Sequence, residues 1–164
     1  MSRARRSYPI ILALAAWLLG ALPRPAEAAL GTCTVSATAV AFGVYDPIAA
    51  AANDSTGTVT VSCSLVSGIS LLVAYSIGLS TGVGSYTTRQ MSYLTDYMSY
   101  NLYTSGARNI VWGDGSGSTQ MIYDGYLLGL GGATTNYTVF GHIPARQNVR
   151  GGGYQDNIVV TVTY

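Results

Sequence analysis

Charge is what this sequence lacks most. None of its 164 residues is lysine, its eight basic residues are all arginine, and charged residues make up only 9% of the chain. A typical soluble domain is about one-quarter charged. The sequence therefore has no basic surface of the kind by which a protein binds nucleic acid through charge. Because 49% of the residues are hydrophobic, a highly charged disordered chain is excluded as well.

Residues of the types that perform catalysis or bind metal ions are also scarce. The chain has one histidine, His142, and two cysteines, whereas a zinc site needs a cluster of such ligands. The loop 114–118 resembles a calcium loop but lacks the closing glutamate. Asp114 and Asp124 are candidates for a carboxylate pair across a hairpin, although aspartates in turns usually bond to the backbone. We predict no enzyme activity, no metal ion and no cofactor; a hydrolase that uses His142 is the most distant alternative.

The first 28 residues have the order of segments found in a secretory signal peptide. Three arginines lie within the first six residues, residues 10–22 are almost wholly apolar, and small residues at 26 and 28 form a cleavage site. The apolar run is shorter than the ~20 residues that a membrane span requires, and prolines follow it. We predict that residues 1–28 are cleaved and that residues 29–164 form one domain of a secreted protein.

The two cysteines predict a disulfide. Cys33 and Cys63 are an even number of cysteines in an exported chain, and disulfides form in oxidising compartments. Closing a loop of about 30 residues contributes roughly 3–4 kcal/mol in the chain-entropy model. Each cysteine lies at an end of an alternating segment, so two neighbouring strands would bring them together.

The residue pattern of the predicted domain indicates short strands separated by turns. Apolar and polar residues alternate in several segments, and β-branched residues are frequent there, which is typical of half-buried strands. Glycines and an Asp-Gly pair in 112–118 predict a tight loop. The predicted strands are 33–39, 58–63, 69–79, 89–91, 98–104, 120–126, 136–143 and 156–164. This pattern predicts an all-β antiparallel sandwich, with 69–79 and the C-terminal segment as central strands.

Several stretches, taken in order, resemble one family. They are 42–47, 57–63, 100–103, 111–115, 137–144 and 153–164. Together they cover nearly all of the predicted domain and are similar to the spore coat protein U domain family, which includes subunits of archaic chaperone–usher pili.

The resemblance implies an Ig-like sandwich that lacks one strand, which a partner supplies. The implied partners are a periplasmic chaperone, an outer-membrane usher and neighbouring pilus or coat subunits, and the implied location is the periplasm in transit and then the cell surface. A sandwich without one strand exposes backbone groups and apolar pockets that strand addition covers. The alternating residues Ile158, Val160, Val162 and Tyr164 are where the chaperone or partner strand is expected to pair.

The N-terminus departs from the pattern of a fibre-forming subunit. A donor segment needs roughly ten alternating residues to fill a strand-length groove, and only four residues lie between the predicted cleavage site and Cys33. We therefore expect this chain to accept a strand but not to donate one. The alternative function is a self-contained extracellular binding module, such as a lectin-like domain or tip adhesin with a surface of tyrosines.

Overall fold

The computed structural model describes residues 31–65, 71–128 and 132–164, and every regular element among them is a β-strand. The strands are β1 (Gly31–Thr38), β2 (Asn53–Leu65), β3 (Leu71–Leu79), β4 (Val83–Gly84), β5 (Arg89–Tyr93), β6 (Asp96–Tyr103), β7 (Ile122–Leu128), β8 (Ala133–Ile143) and β9 (Val160–Thr163). No helix in these ranges is long and apolar enough to cross a membrane. The predicted signal peptide lies outside the described residues.

The strands form two antiparallel sheets. Sheet A has six strands in the order β1-β2-β8-β6-β5-β4, and sheet B has three in the order β7-β3-β9. Residues that alternate along each strand face the space between the sheets, because successive side chains of a strand point to opposite faces. The predicted all-β antiparallel sandwich is confirmed.

The core is formed by the inward residues of both sheets. Val59 and Val61 of β2, Ile77 of β3 and Ile143 of β8 are 0–1% exposed. Trp112 is fully buried between the sheets, and its indole N–H donates to the carbonyl oxygen of Ile77 at 2.9 Å. This bond satisfies a polar group that would otherwise be costly to bury.

The predicted disulfide is confirmed. Cys33 and Cys63 are bonded to each other and lie directly opposite in the register of β1 and β2. The bridge therefore fixes β1 to β2, its only neighbour in the sheet among the described strands.

Two expectations about strand positions have different outcomes. β3 is the central strand of sheet B, as predicted for 69–79, although residues 69–70 lie outside the described ranges. The C-terminal segment was expected to be central, and this prediction is wrong. β9 covers four residues and pairs with β3 alone among the described strands, because alternation predicts a strand but not the number of its neighbours.

The loop predicted over 112–118 is also present. Gly115 and Gly117 have φ angles of 84° and 59°, which are left-handed conformations that glycine adopts without steric cost. The carbonyl oxygen of Gly113 in this loop accepts from the Leu79 N–H at 3.1 Å, so the loop is bonded to the end of β3.

Candidate functional site: an apolar groove between two open sheet edges

The edges of the two sheets lie beside each other on one side of the sandwich. β1 is an edge strand of sheet A, β9 is an edge strand of sheet B, and their Cα atoms approach within 8 Å. Neither strand has a second neighbour within the described parts of the chain. Backbone groups along both edges are thus available to another strand.

The hydrogen-bond pattern of β9 shows which residues face its open edge. The Ser80 N–H donates to the Val159 carbonyl at 3.0 Å, and the same register continues through β3 and β9. Antiparallel strands alternate between residues that bond to the neighbour and residues that point away from it. Val160 and Val162 therefore direct their N–H and C=O groups away from β3, while their half-buried side chains pack against the core.

The structure places the four predicted pairing residues differently. Val160 and Val162 lie in β9, and Ile158 precedes it with a half-buried side chain that also contacts the core. Tyr164 follows the strand, and its side chain is 56% exposed. Three of the four thus lie at the open edge with inward side chains, and the binding of a chaperone there stays a prediction.

The edge of β1 also has backbone groups that point away from its neighbouring strand. The Cα atoms of Cys33 and Cys63 are 4.0 Å apart, close to the ~4.5 Å of an opposed pair that shares no backbone hydrogen bonds. Val35 and Ala37, two and four residues further on, therefore direct their backbone groups away from β2. Val35 is 41% exposed although Val61, directly opposite it, is 0% exposed. The apolar face of β1 thus lacks the cover that β2 has.

A groove starts between these edges and continues between two chain segments. Its N-terminal wall is residues 37–47 and its C-terminal wall is residues 149–160; the groove consists of two adjoining cavities of about 420 Å³ and about 490 Å³. Both cavities are lined by Val40, Phe42, Met91 and Tyr154. The lining is mainly apolar, so extended chain with apolar side chains would fit it.

Two glycines of sheet A allow the N-terminal wall to lie against the inner face of the sheet. A Cβ atom at Gly57 would come within 2.9 Å of a Val40 methyl carbon, and one at Gly141 within 2.6 Å of the Phe42 ring. Carbon atoms do not approach so closely without displacement. Sequence reasoning missed this role, although a glycine inside a strand pattern can indicate close approach of another segment.

Asp156 holds the C-terminal wall in place. Its side-chain oxygens accept from the Tyr100 hydroxyl at 2.6 Å and from the Val83 N–H at 3.0 Å. Burial raises the pKa of Tyr100, and its hydrogen bond to the Asp156 carboxylate raises it further. The neutral hydroxyl is the form that donates this bond, so the wall is tied to β6 and β4 at neutral pH.

Tyrosines also fill the sandwich away from the groove. Tyr75 bonds to Tyr137 through their hydroxyls, and Tyr137 donates to the Asp124 carboxylate at 2.6 Å. Burial raises the pKa of Tyr75 and of Tyr137 to about 12. The hydrogen bond from Tyr137 holds the pKa of Asp124 below its usual range. These tyrosines serve the packing of the sandwich.

The residues considered for catalysis make structural contacts. The Nδ1 atom of His142 is 2.7 Å from one carboxylate oxygen of Asp54, and Arg108 is 3.2 Å from the other. Asp114 accepts from the backbone N–H and hydroxyl of Ser116, whereas Asp124 contacts Tyr137. Within the described ranges, no three side chains of the metal-binding types come together.

Arg89 is the polar residue that sequence reasoning missed. It lies in a segment predicted only as a short strand, yet its side chain is 0% exposed. It donates to the carbonyl oxygens of Ser80 and Trp112 and to the side-chain oxygen of Asn101 at 2.7–3.1 Å. None of the described carboxylates forms an ion pair with it. Burial lowers the pKa of the guanidinium, but arginine stays charged at neutral pH.

Comparisons with known proteins agree with this geometry. Protein U of Myxococcus xanthus is 33% identical over 148 residues, which is 82% of this chain and 78% of that protein. Among solved structures, this chain is similar to part of the CsuC-CsuE chaperone-tip adhesion subunit pre-assembly complex from archaic chaperone-usher Csu pili of Acinetobacter baumannii. One of its chains matches with a TM-score of 0.57 at 19% identity, over 82% of this chain and 40% of that chain. This likeness confirms the Ig-like fold.

The family assignment follows from a match that spans most of the sequence. The model described as the Spore Coat Protein U domain matches residues 24–161. This range includes both walls of the groove, both cysteines, all of sheet A and the first two of the four residues of β9. The resemblance found in the sequence is thereby confirmed, and the chain belongs to the Spore Coat Protein U domain family.

Proposed function

We propose that the chain is a secreted structural subunit of a surface pilus or coat, and that its groove accepts a β-strand from a partner. The observation that carries this proposal is the pair of open edges, β1 and β9, on either side of an apolar groove. An inserted strand would pair with the open edge and place alternate side chains in the cavities. The family and the fold are those of structural pilus subunits rather than of enzymes.

The proposed contacts of the inserted strand are backbone hydrogen bonds to β9 and its flanking residues. The backbone N–H and C=O groups of every second residue in this segment face the open edge; these residues are Ile158, Val160, Val162 and Tyr164. Their side chains alternate with exposed residues such as Val159 and Thr161. One strand can thus satisfy the backbone of β9 and cover its apolar side chains together.

The proposed partners act in sequence. A periplasmic chaperone would fill the groove first, an outer-membrane usher would export the subunit, and a neighbouring subunit would then supply the final strand at the cell surface. The predicted signal peptide over 1–28 supports passage through the periplasm. The structural likeness to a chain of a chaperone–subunit complex supports a chaperone as the first partner.

We also propose that the chain accepts a strand without donating one. Gly31 and Thr32 pair with Leu65 and Ser64 of β2, so they belong to the sandwich. If cleavage follows residue 28, only Ala29 and Leu30 precede β1. Two residues cannot fill a groove of strand length, which favours a terminal or coat-layer position over a repeating shaft subunit.

Filling the groove covalently is expected to stabilise the domain. We would extend the chain after Tyr164 by an Asn-Gly turn and eleven residues of alternating valine and threonine, long enough to run back to Tyr154 with valines inward. Asn-Gly favours the tight turn of a hairpin. The added strand is expected to raise the melting temperature by roughly 10 °C, which corresponds to about 3 kcal/mol in a domain of this size.

The matched control is an extension of the same length made of glycine and serine, which has the tether but no apolar side chains. It is expected to leave the melting temperature within about 2 °C of the original chain, since flexible appendages bury nothing. Equal melting temperatures for the two extended chains would contradict the presence of a strand-accepting groove.

Assembly is tested on the native surface material. An immunoblot of surface extracts in SDS is expected to show large species that collapse to the mature mass on boiling, because each joint buries a full strand ladder. N-terminal sequencing of the released band is expected to begin at Ala29. A long alternating N-terminal extension would contradict the acceptor-only role, and a monomer without boiling would favour the self-contained binding module.

A further inference from the structure

Sheet B has a second open edge on the side away from the groove. β7 pairs only with β3 among the described strands. It is seven residues long, whereas β9 has four. The unpaired backbone groups of an edge strand are a ready template for another strand. By length alone, β7 would accept a strand more readily than β9.

The register shows which residues of β7 face this edge. Ser80 bonds to β9 through its N–H, so Tyr75, five residues earlier, has its backbone groups on the β7 side. Tyr75 lies opposite Asp124, and Asp124 therefore bonds to β3. The residues that direct their N–H and C=O groups to the open edge are the alternate ones, Tyr123, Gly125 and Leu127.

The side chains of these residues suit pairing with β7 of a second copy of the chain. If Gly125 lies opposite Gly125 in an antiparallel pair, Tyr123 lies opposite Leu127 of the other copy. Tyr123 and Leu127 are each 72% exposed, and Leu72, directly opposite Leu127 in the sheet, is 69% exposed. Aromatic and aliphatic side chains that oppose each other across strands stabilise the pair. Backbone and side chains thus both favour association at β7.

Asp124 opposes this association. Its Oδ1 atom accepts from the Gly125 N–H at 2.7 Å, and its Oδ2 atom accepts from the Tyr137 hydroxyl at 2.6 Å. The first bond occupies the central outward donor of the edge. None of the described arginines forms an ion pair with this carboxylate, and the titratable side chains around it are tyrosines: Tyr75, Tyr126 and Tyr137.

We propose that Asp124 blocks strand pairing at β7, so that a partner strand pairs at the groove and not at the opposite edge of the same sheet. The choice of the groove edge rests on the proposed function; the block at β7 does not. A strand that pairs with β7 must displace the carboxylate from the Gly125 N–H and remove it from water without a counter-ion, which is costly. Charged side chains at edges prevent such pairing in natural sheets.

Like charges add to the block when the incoming strand is β7 of a second copy. With Gly125 opposite Gly125, the two Asp124 residues are diagonal neighbours across the strands, about 7–8 Å apart. Neither carboxylate has a described cation beside it, so the two repel each other.

The test is the self-association of Asp124→Ala, measured by sedimentation equilibrium over a range of protein concentrations. Loss of the carboxylate is expected to make self-association at least about tenfold tighter than in the unmodified chain. Addition of Leu127→Pro is expected to abolish this gain, because proline removes an outward N–H and leaves the bonds to β3 intact.

Two matched variants separate the block from loss of stability and from loss of charge. Tyr137→Phe removes the bond between the two side chains but keeps the carboxylate on the Gly125 N–H. Asp114→Ala removes a carboxylate that also accepts from a backbone N–H, that of Ser116 at 2.9 Å, in a loop outside the strands. Both variants are expected to self-associate no more than the unmodified chain.

The inference is overturned if Asp124→Ala self-associates no more tightly than the unmodified chain. It is also overturned if the gain persists with Leu127→Pro, or if either matched variant reproduces it. The proposed function is judged separately by the two extended chains. Equal melting temperatures there would contradict the groove and leave the result at β7 valid, since sedimentation of these variants requires no filled groove.

Discussion

Replacing Arg89 with methionine is expected to lower the free energy of unfolding by about 4 kcal/mol, because it leaves several buried acceptors without donors. The guanidinium joins the Ser80 carbonyl at the end of β3 to Asn101 of β6 and to the Trp112 carbonyl. Ser80 directly follows a strand of sheet B and Asn101 lies in a strand of sheet A, so the guanidinium joins the two sheets. The substitution removes all of these bonds while keeping an unbranched side chain that fills the space of the arginine's apolar stem.

The measurement is urea unfolding monitored by circular dichroism. Arg150→Met is the matched control, since the Arg150 side chain is 61% exposed and its contact with Asp96 at 3.2 Å is a surface ion pair. Such pairs contribute about 0–1 kcal/mol. If Arg89→Met and Arg150→Met unfold at the same urea concentration, the buried guanidinium does not hold the sheets together.

Removing the disulfide is expected to cost roughly 3–4 kcal/mol. The sequence separation of Cys33 and Cys63 is 30 residues, and the chain-entropy model gives this loss for a loop of that size. β1 has only β2 as a neighbour in the sheet among the described strands. Detachment of β1 would therefore expose the buried Val59 and Val61 of β2.

The expected loss is measured by urea unfolding of the double variant Cys33→Ala, Cys63→Ala beside the unmodified chain. Addition of a thiol reductant should destabilise the unmodified chain to the level of the double variant and leave the double variant unchanged. Equal stability of the two chains under oxidising conditions would show that the pairing of β1 with β2 does not depend on the bridge.

Local patterns predicted the strands well and their neighbours poorly. Alternation identified β1, β2 and the segment that contains β9, because it reports which face of a strand is buried. It does not report whether a strand lies at an edge, so the C-terminal strand was placed at the centre of a sheet. Edge position depends on which distant segments pair, and here the open side of β9 forms part of the groove.

The groove itself was only partly predictable. Its apolar residues Ile158 and Val160 were identified from alternation and family resemblance. The buried Arg89, which does not line the groove, was not identified. A single arginine in a short segment is usually exposed, and its burial depends on acceptors from three separate parts of the chain. No sequence pattern indicates that the hydroxyl of Tyr154 is buried without a hydrogen-bond partner among the described residues, because this depends on which distant residues surround it.

The contact of the N-terminal wall with Gly57 and Gly141 has a consequence for how this protein can vary. These glycines lie behind Val40 and Phe42, and they do not line either cavity. A side chain at either position would push Val40 or Phe42 into the groove that we propose accepts a strand. Substitution of either glycine would then weaken the proposed binding of a strand although neither residue lines the groove, and a survey of the lining residues alone would overlook both positions.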